Sequence, residues 1–176
     1  GLQNGGILPT RNFQEGRLEG AEAISGETME QTILEGAKGC YSCPVLCKRA
    51  VKVEGKYSAT PEYGGPEYET LGSLGSMCGI SDLEAISHGN EICNRWGLDT
   101  ISTGVSIAFA MECTERGILT RDDTDGIDLR FGNVDGMIQM IRKIAFREGF
   151  GDILARGVKG ASRAIGKESE PYALHV

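Results

Sequence analysis

The sequence predicts a mostly α domain with an irregular N-terminal segment. Two observations carry that expectation: successive apolar patterns recur at helical spacing between cap residues and glycine stops, and no strand pattern of comparable strength competes with them. The 176 residues, 40% of them hydrophobic, are ordinary for one folded unit, so a single domain over residues 1–176 is the expectation.

The first 26 residues, rich in glycine and carrying Pro9, read as a loop. From Glu27 to about Lys38, Met29, Ile33, Leu34 and Ala37 fall at helical spacing, and Gly39 stands where a helix would stop. This predicts a helix that leads into "GCYSCPVLCKR", residues 39–49. Val51 and Val53 then alternate about Lys52 before a stretch punctuated by Pro61, Gly64, Gly65 and Pro66, which reads as a hairpin or a loop.

Ser81 and Glu84 have capping-box spacing, and Leu83, Ile86, Cys93 and Trp96 can line one helix face. Asp99 is placed to cap the next helix, residues 100–116, whose interior is apolar on most sides and so belongs deep in a core. After an acidic loop, Met137, Ile138, Ile141, Ile144 and Ala145 predict a helix from Val134 to about Glu148. Ile153, Leu154, Val158, Ala161 and Ile165 predict one from Gly151 to Ile165.

A net charge of -7, with no basic run longer than Lys48-Arg49, argues against nucleic acid as a partner. No run of about 18 apolar residues predicts a membrane span, so the reading is of a soluble protein with no membrane partner. The six cysteines are too unevenly spaced for a disulfide framework in a chain this long. They fit a metal site in a reducing cytoplasm better.

Cys40, Cys43 and Cys47 form a C-x2-C-x3-C run, which lets three sulfurs converge on one centre. Thiolates are ligands of iron–sulfur clusters and of structural zinc, and the spacing leaves both open. A cluster of four irons ordinarily takes four cysteines. Cys78, Cys93 and Cys113 are the local candidates for the fourth, but each stands at an apolar position or beside Gly and Met and reads better as a small core residue. His88, within the capped helix, reads as an ordinary surface or core histidine.

Two further stretches present carboxylates on tight turns, where they can accept hydrogen bonds or move protons: Glu67 and Glu69 in "GGPEYETLGSLG", and Asp99, with Asn94, in "NRWGLDTIS". Taken singly, such residues are more often helix caps or solvated loops.

Together with "LPTRNFQEG" and the cysteine run, "GPEYETLGSLGSMCGI" and "NRWGLDTISTG" resemble, in order and approximate spacing, the tungsten-dependent aldehyde ferredoxin oxidoreductase family. The resemblance implies the helical domain type of that family. It also implies oxidation of a small aldehyde to a carboxylic acid at a tungsten or molybdenum held by two pterins, with electrons passing through a 4Fe-4S cluster to ferredoxin. Cys40, Cys43 and Cys47 would be three of the cluster ligands, with the fourth outside this chain. The family's Asp-x-x-Gly-Leu-Asp pterin turn corresponds to Asn94, Gly97, Leu98 and Asp99, with Asn94 in place of the usual Asp and therefore without its charge. Glu69, with Glu67 as second choice, would be the catalytic carboxylate near the metal, its pKa tuned by partial burial.

By the same resemblance the chain is the middle part of a larger enzyme, lacking an N-terminal pterin-binding β domain and a C-terminal domain. Alone it would be inactive, and association into a homo-oligomer stays open. Two readings from other classes compete: an iron–sulfur electron-transfer module with no catalytic centre of its own, and a zinc-stabilised structural domain.

Overall fold

Helix α5, Thr100–Glu115, is the axis of the molecule. Its residues Ile107 to Met111 have no exposed surface, and Thr103, Gly104 and Ser106 are buried as well. A helix apolar all round must be surrounded, and α5 is. Around it pack α4 (Leu83–Trp96), α6 (Val134–Phe146), α7 (Phe150–Leu154) and α8 (Gly157–Ile165). The computed structural model describes residues 1–175.

Caps set most boundaries. Asp99 accepts from the Ser102 N–H at 2.7 Å to start α5, as its position predicts. Helix α4 starts one residue later than the capping-box reading: Asp82, not Ser81, accepts from Ala85 N–H at 3.0 Å. Asn133 caps α6 through Gly136 N–H. Trp96 departs from the predicted buried face. It is 44% exposed and meets Phe146 edge-on, ring centroids 4.8 Å apart. The single helix expected over 151–165 breaks into α7 and α8 around Gly157, whose φ of 73° no right-handed helix accommodates.

The largest difference lies ahead of the cysteines. Helix α2 covers only Gly26–Thr32, capped by Ser25. Leu34–Lys38 forms strand β1 and pairs antiparallel with β2, Lys48–Val51. Gly36 is a poor helix residue, and the ladder formed with β2 outweighs the local periodicity. The cysteines therefore sit on a hairpin loop rather than on a turn leaving a helix.

Two irregular segments close the fold. After short helix α1 (Leu2–Gly5), the "LPTRNF" stretch places Arg11, Asn12 and Phe13 at φ of 48°, 51° and 65°. Left-handed backbone is unfavourable for such residues, and tertiary bonds hold it: Arg11 N–H to Ser76 O and Asn12 N–H to Met77 O, both 3.0 Å. The Asn12 amide also donates to buried Glu112 at 2.6 Å, and Arg116 pairs with the same carboxylate at 2.7 Å. The second segment runs from α3 (Tyr68–Thr70) through a π-helical turn, Leu71–Gly75, into a 3-10 turn, Ser76–Cys78. It lies directly on α5: a Cβ on Gly104 would stand 2.5 Å from the Ser73 carbonyl carbon.

Gly104→Ala is expected to destabilise the protein by about 1–3 kcal/mol, because backbone rather than a flexible side chain must yield. Thermal unfolding of the variant beside the parent reads this as a lower melting temperature. An unchanged melting temperature would contradict the close contact.

Candidate cofactor-binding cleft

Each predicted site residue is delivered by a different local device. The hairpin loop carries Cys40, Cys43 and Cys47. It folds back at Gly39, where a Cβ would stand 2.6 Å from Leu46 Cδ2, and turns through Cys43 N–H to Cys40 O at 3.0 Å. Ser42 and Leu46 take φ of 56° and 54°, and Tyr41 at the tip is fully exposed.

The segment bearing Glu67 and Glu69 is pressed onto this hairpin. Gly65 N–H donates to Arg49 O at 2.8 Å, and a Cβ on Gly65 would stand 2.6 Å from Val51 Cγ1. From the other side α4 straps residues 57–64 in place. His88 bonds Ser58 O at 2.6 Å, Asn90 donates to Gly64 O at 3.0 Å, and Glu91 accepts from Thr60 N–H at 2.5 Å. Asn94 donates to Tyr63 O at 2.9 Å, and the Arg95 guanidinium lies 4.3 Å from the centroid of the Tyr63 ring. These side chains share one helix face, so α4 grips the segment along its length.

The turn after α4 is closed by Gly97 at φ 68°, and Leu98 N–H returns to Cys93 O at 2.9 Å. This swings Asp99 toward Glu69, while Thr70 and Thr100 hydroxyls meet at 2.8 Å behind them. The result is an open cleft of about 670 Å³. Cys40 and Cys47 stand on one wall, Glu67 and Glu69 on a second, and Asn94, Leu98 and Asp99 on a third. Residues as far apart in sequence as Cys40 and Ile101 thus share one cavity. Cys43 and Gly97 do not line it; Gly97 acts by shaping the turn.

Among the described residues, no group of three or more His, Cys, Asp or Glu side chains is arranged to hold a metal ion. Glu69 is exposed, so this chain does not supply the partial burial expected to tune it. Asn94 already uses its amide N–H on Tyr63, leaving its Oδ1 as the acceptor for a ligand.

The remaining cysteines are core residues, as their surroundings in sequence imply. Cys78, Cys93 and Cys113 have no exposed surface. Burial pushes the Cys93 and Cys113 thiols up to about 12, and the Cys78 thiol higher still. None is disposed to ionise as a ligand, whereas the three loop cysteines are free and wholly or partly exposed.

Sequence reasoning missed Tyr63, Asn90 and the Thr70–Thr100 pair, all of which build or line the cleft, and noted Lys48 only as a basic neighbour of the cysteines. Asn90 stands one turn before Asn94, and that spacing was the one available hint.

The aldehyde ferredoxin oxidoreductase family model for domains 2 and 3 matches residues 1–176. The chain belongs to this family. It is 44% identical over 158 residues to the tungsten-containing aldehyde ferredoxin oxidoreductase of Pyrococcus abyssi, an alignment covering 86% of this chain and 25% of that protein. Its identity to the Thermococcus kodakarensis protein of the same name is 43% over 160 residues, covering 89% and 25%. The chain thus spans about a quarter of the length of these relatives. Among solved structures, the active-site complex BamBC of benzoyl coenzyme A reductase, bound to 1,5-dienoyl-CoA, aligns with a TM-score of 0.69 at 29% identity, over 84% of this chain and 21% of that one. No helix among the described residues is long and apolar enough to cross a membrane.

Hydrogen bonding to Ser102 holds the Asp99 carboxyl below the usual carboxylate range. A depressed pKa means that the cap stabilises above the unfolded value, about 3.9, and that this contribution disappears as pH falls through the lower folded value. Asp99→Ala is expected to cost about 1 kcal/mol at pH 7 and Asp99→Asn far less. In urea unfolding, the gap between parent and Asp99→Ala is expected to narrow below about pH 4.

Proposed function

We propose that this chain forms the helical part of a cytoplasmic oxidoreductase that converts a small aldehyde to its carboxylic acid and passes the electrons to ferredoxin. In this reading Cys40, Cys43 and Cys47 supply three ligands of a 4Fe-4S cluster, the fourth coming from sequence outside the chain. Glu69, Asn94, Leu98 and Asp99 face a tungsten or molybdenum centre held by two pterins. The observation that carries the reading is the single cleft that collects cysteines, carboxylates and the α5 N-terminus from three separate stretches of sequence.

The donor set fits these groups. Three free thiols on one loop suit iron and sulfide, and the acceptors Asn94 Oδ1 and the outer oxygen of Asp99 suit the N–H edges of a pterin. When bound, the metal–pterin and iron–sulfur groups supply the redox chemistry, which no side chain here can perform.

The chain's own residues do the rest. Oxidising an aldehyde adds an oxygen from water and releases protons along with electrons. Glu69, standing free in the cleft, takes up such a proton on its carboxylate. Glu67, two residues before it on the same wall, is the alternative acceptor. Asp99 accepts from Ser102 N–H at the start of α5 and lines the cleft, so in this reading one side chain both caps the helix and meets the cofactor. The strap from α4 keeps Glu69 in register with Asp99, an alignment that catalysis by positioning requires.

Substitution in the full-length enzyme tests the reading. Glu69→Gln is expected to abolish aldehyde-dependent reduction of a viologen dye while iron, sulfide and tungsten contents stay at parent levels. Retention of full activity would remove Glu69 from the mechanism and favour an electron-transfer module without its own catalytic centre.

A further inference from the structure

Among the residues lining the cleft there is one cation. Lys48 opens β2 directly after Cys47, and its side chain shares the cavity with Glu67, Glu69 and Asp99. Other basic groups nearby are committed elsewhere. Arg49 donates to Cys47 O at 2.7 Å and lines the neighbouring cavity instead. Arg95 pairs with Glu91 at 2.8 Å while stacked on Tyr63. Lys38 donates to Pro61 O, and Lys52, Lys56, Lys143 and Lys167 each pair with a carboxylate. Lys48 has no such partner among the described residues, although it is half-buried.

Its position is built rather than incidental. The stem crosses the bare backbone of Gly64: a Cβ there would stand 2.2 Å from Lys48 Cε and 3.2 Å from Cγ. Gly64 has φ of 74°, and its carbonyl is held by Asn90 at 3.0 Å, so the surface under the stem is fixed. The absence of a side chain at Gly64 leaves room for the Lys48 stem to lie over that backbone and line the cleft.

A cationic side chain close to cluster ligands matters most for a group whose negative charge changes. Reduction makes a thiolate-held cluster more negative, and a fixed positive charge close by favours that state; local charge is among the terms that set such potentials. We propose that Lys48, which follows Cys47 on β2 and shares the cavity with it, tunes the reduction potential of the cluster held by the cysteine loop. The inference rests on the reading that Cys40, Cys43 and Cys47 hold a cluster. Lys48 is a tuning residue and does not touch substrate.

The experiment is a redox titration of the full-length enzyme, purified without oxygen and followed by low-temperature EPR, for the parent, Lys48→Met and Lys48→Arg. Lys48→Met is expected to shift the cluster midpoint potential to a more negative value at unchanged iron and sulfide content. Lys48→Arg, which keeps the charge, is expected to stay at the parent value. An unshifted Lys48→Met with an intact cluster overturns the proposal. If Lys48→Met fails to retain iron, Lys48→Gln replaces it, and loss of iron in both also overturns the proposal, because the residue would then be structural. Absence of iron from the parent itself would be a failure of the cluster reading rather than of Lys48.

Discussion

Gly64 and Gly65 lie flat against strand β2, and the site depends on that contact. A methyl group at either position would collide with Lys48 or Val51. Without the close approach, the Glu67–Glu69 wall would stand away from the hairpin and the cysteines would face solvent alone. The contact is reinforced from the opposite side by the α4 side chains His88, Asn90, Glu91 and Asn94, which bond the backbone of residues 58–64, and by Arg95, which stacks on the Tyr63 ring. The core supplies the platform: α5 is buried around most of its circumference, and the π-helical turn rests on it at Gly104.

The six cysteines divide by environment into two chemical classes. Three are enclosed by the core, where burial keeps them as neutral thiols that fill space. Three stand on an exposed loop whose backbone includes left-handed turns at Ser42 and Leu46. Apolar Tyr41, Val45 and Leu46 are exposed on that same loop, an arrangement costly in an isolated chain and natural for a surface that packs on further protein. The relatives it matches are about four times as long as this chain.

Much of the helical fold was legible in the sequence because its signals are local. The Asp99 cap, the apolar α5 and the α6 stripe need no distant partner to be recognised, and all three are found as predicted. The errors are failures of local signals against tertiary ones. Ile33 to Ala37 has helical spacing, yet β1 forms because β2 is present to pair with it. Trp96 continues the apolar face of α4 but lies beyond the core's edge, where Phe146 rather than the interior receives it. At the site, the cysteine spacing and the carboxylate turns could be picked out as motifs, whereas their assembly into one cleft could not, since it is made by contacts between residues 14 to 31 positions apart. Asn90 escaped notice for that reason, since it belongs to no motif, and Lys48, though part of the cysteine motif, acquires its place in the cleft only through Gly64.

The central claim is that the cysteine loop holds iron and sulfide. Iron and acid-labile sulfide content, with low-temperature EPR after reduction, measured on the full-length protein purified without oxygen, tests it most directly. The account predicts about four irons and four sulfides per chain, with a reduced-cluster EPR signal that is lost when Cys47 is replaced by Ala. Zinc in place of iron and sulfide, or a folded protein that carries neither, would contradict it and leave the three cysteines a structural role.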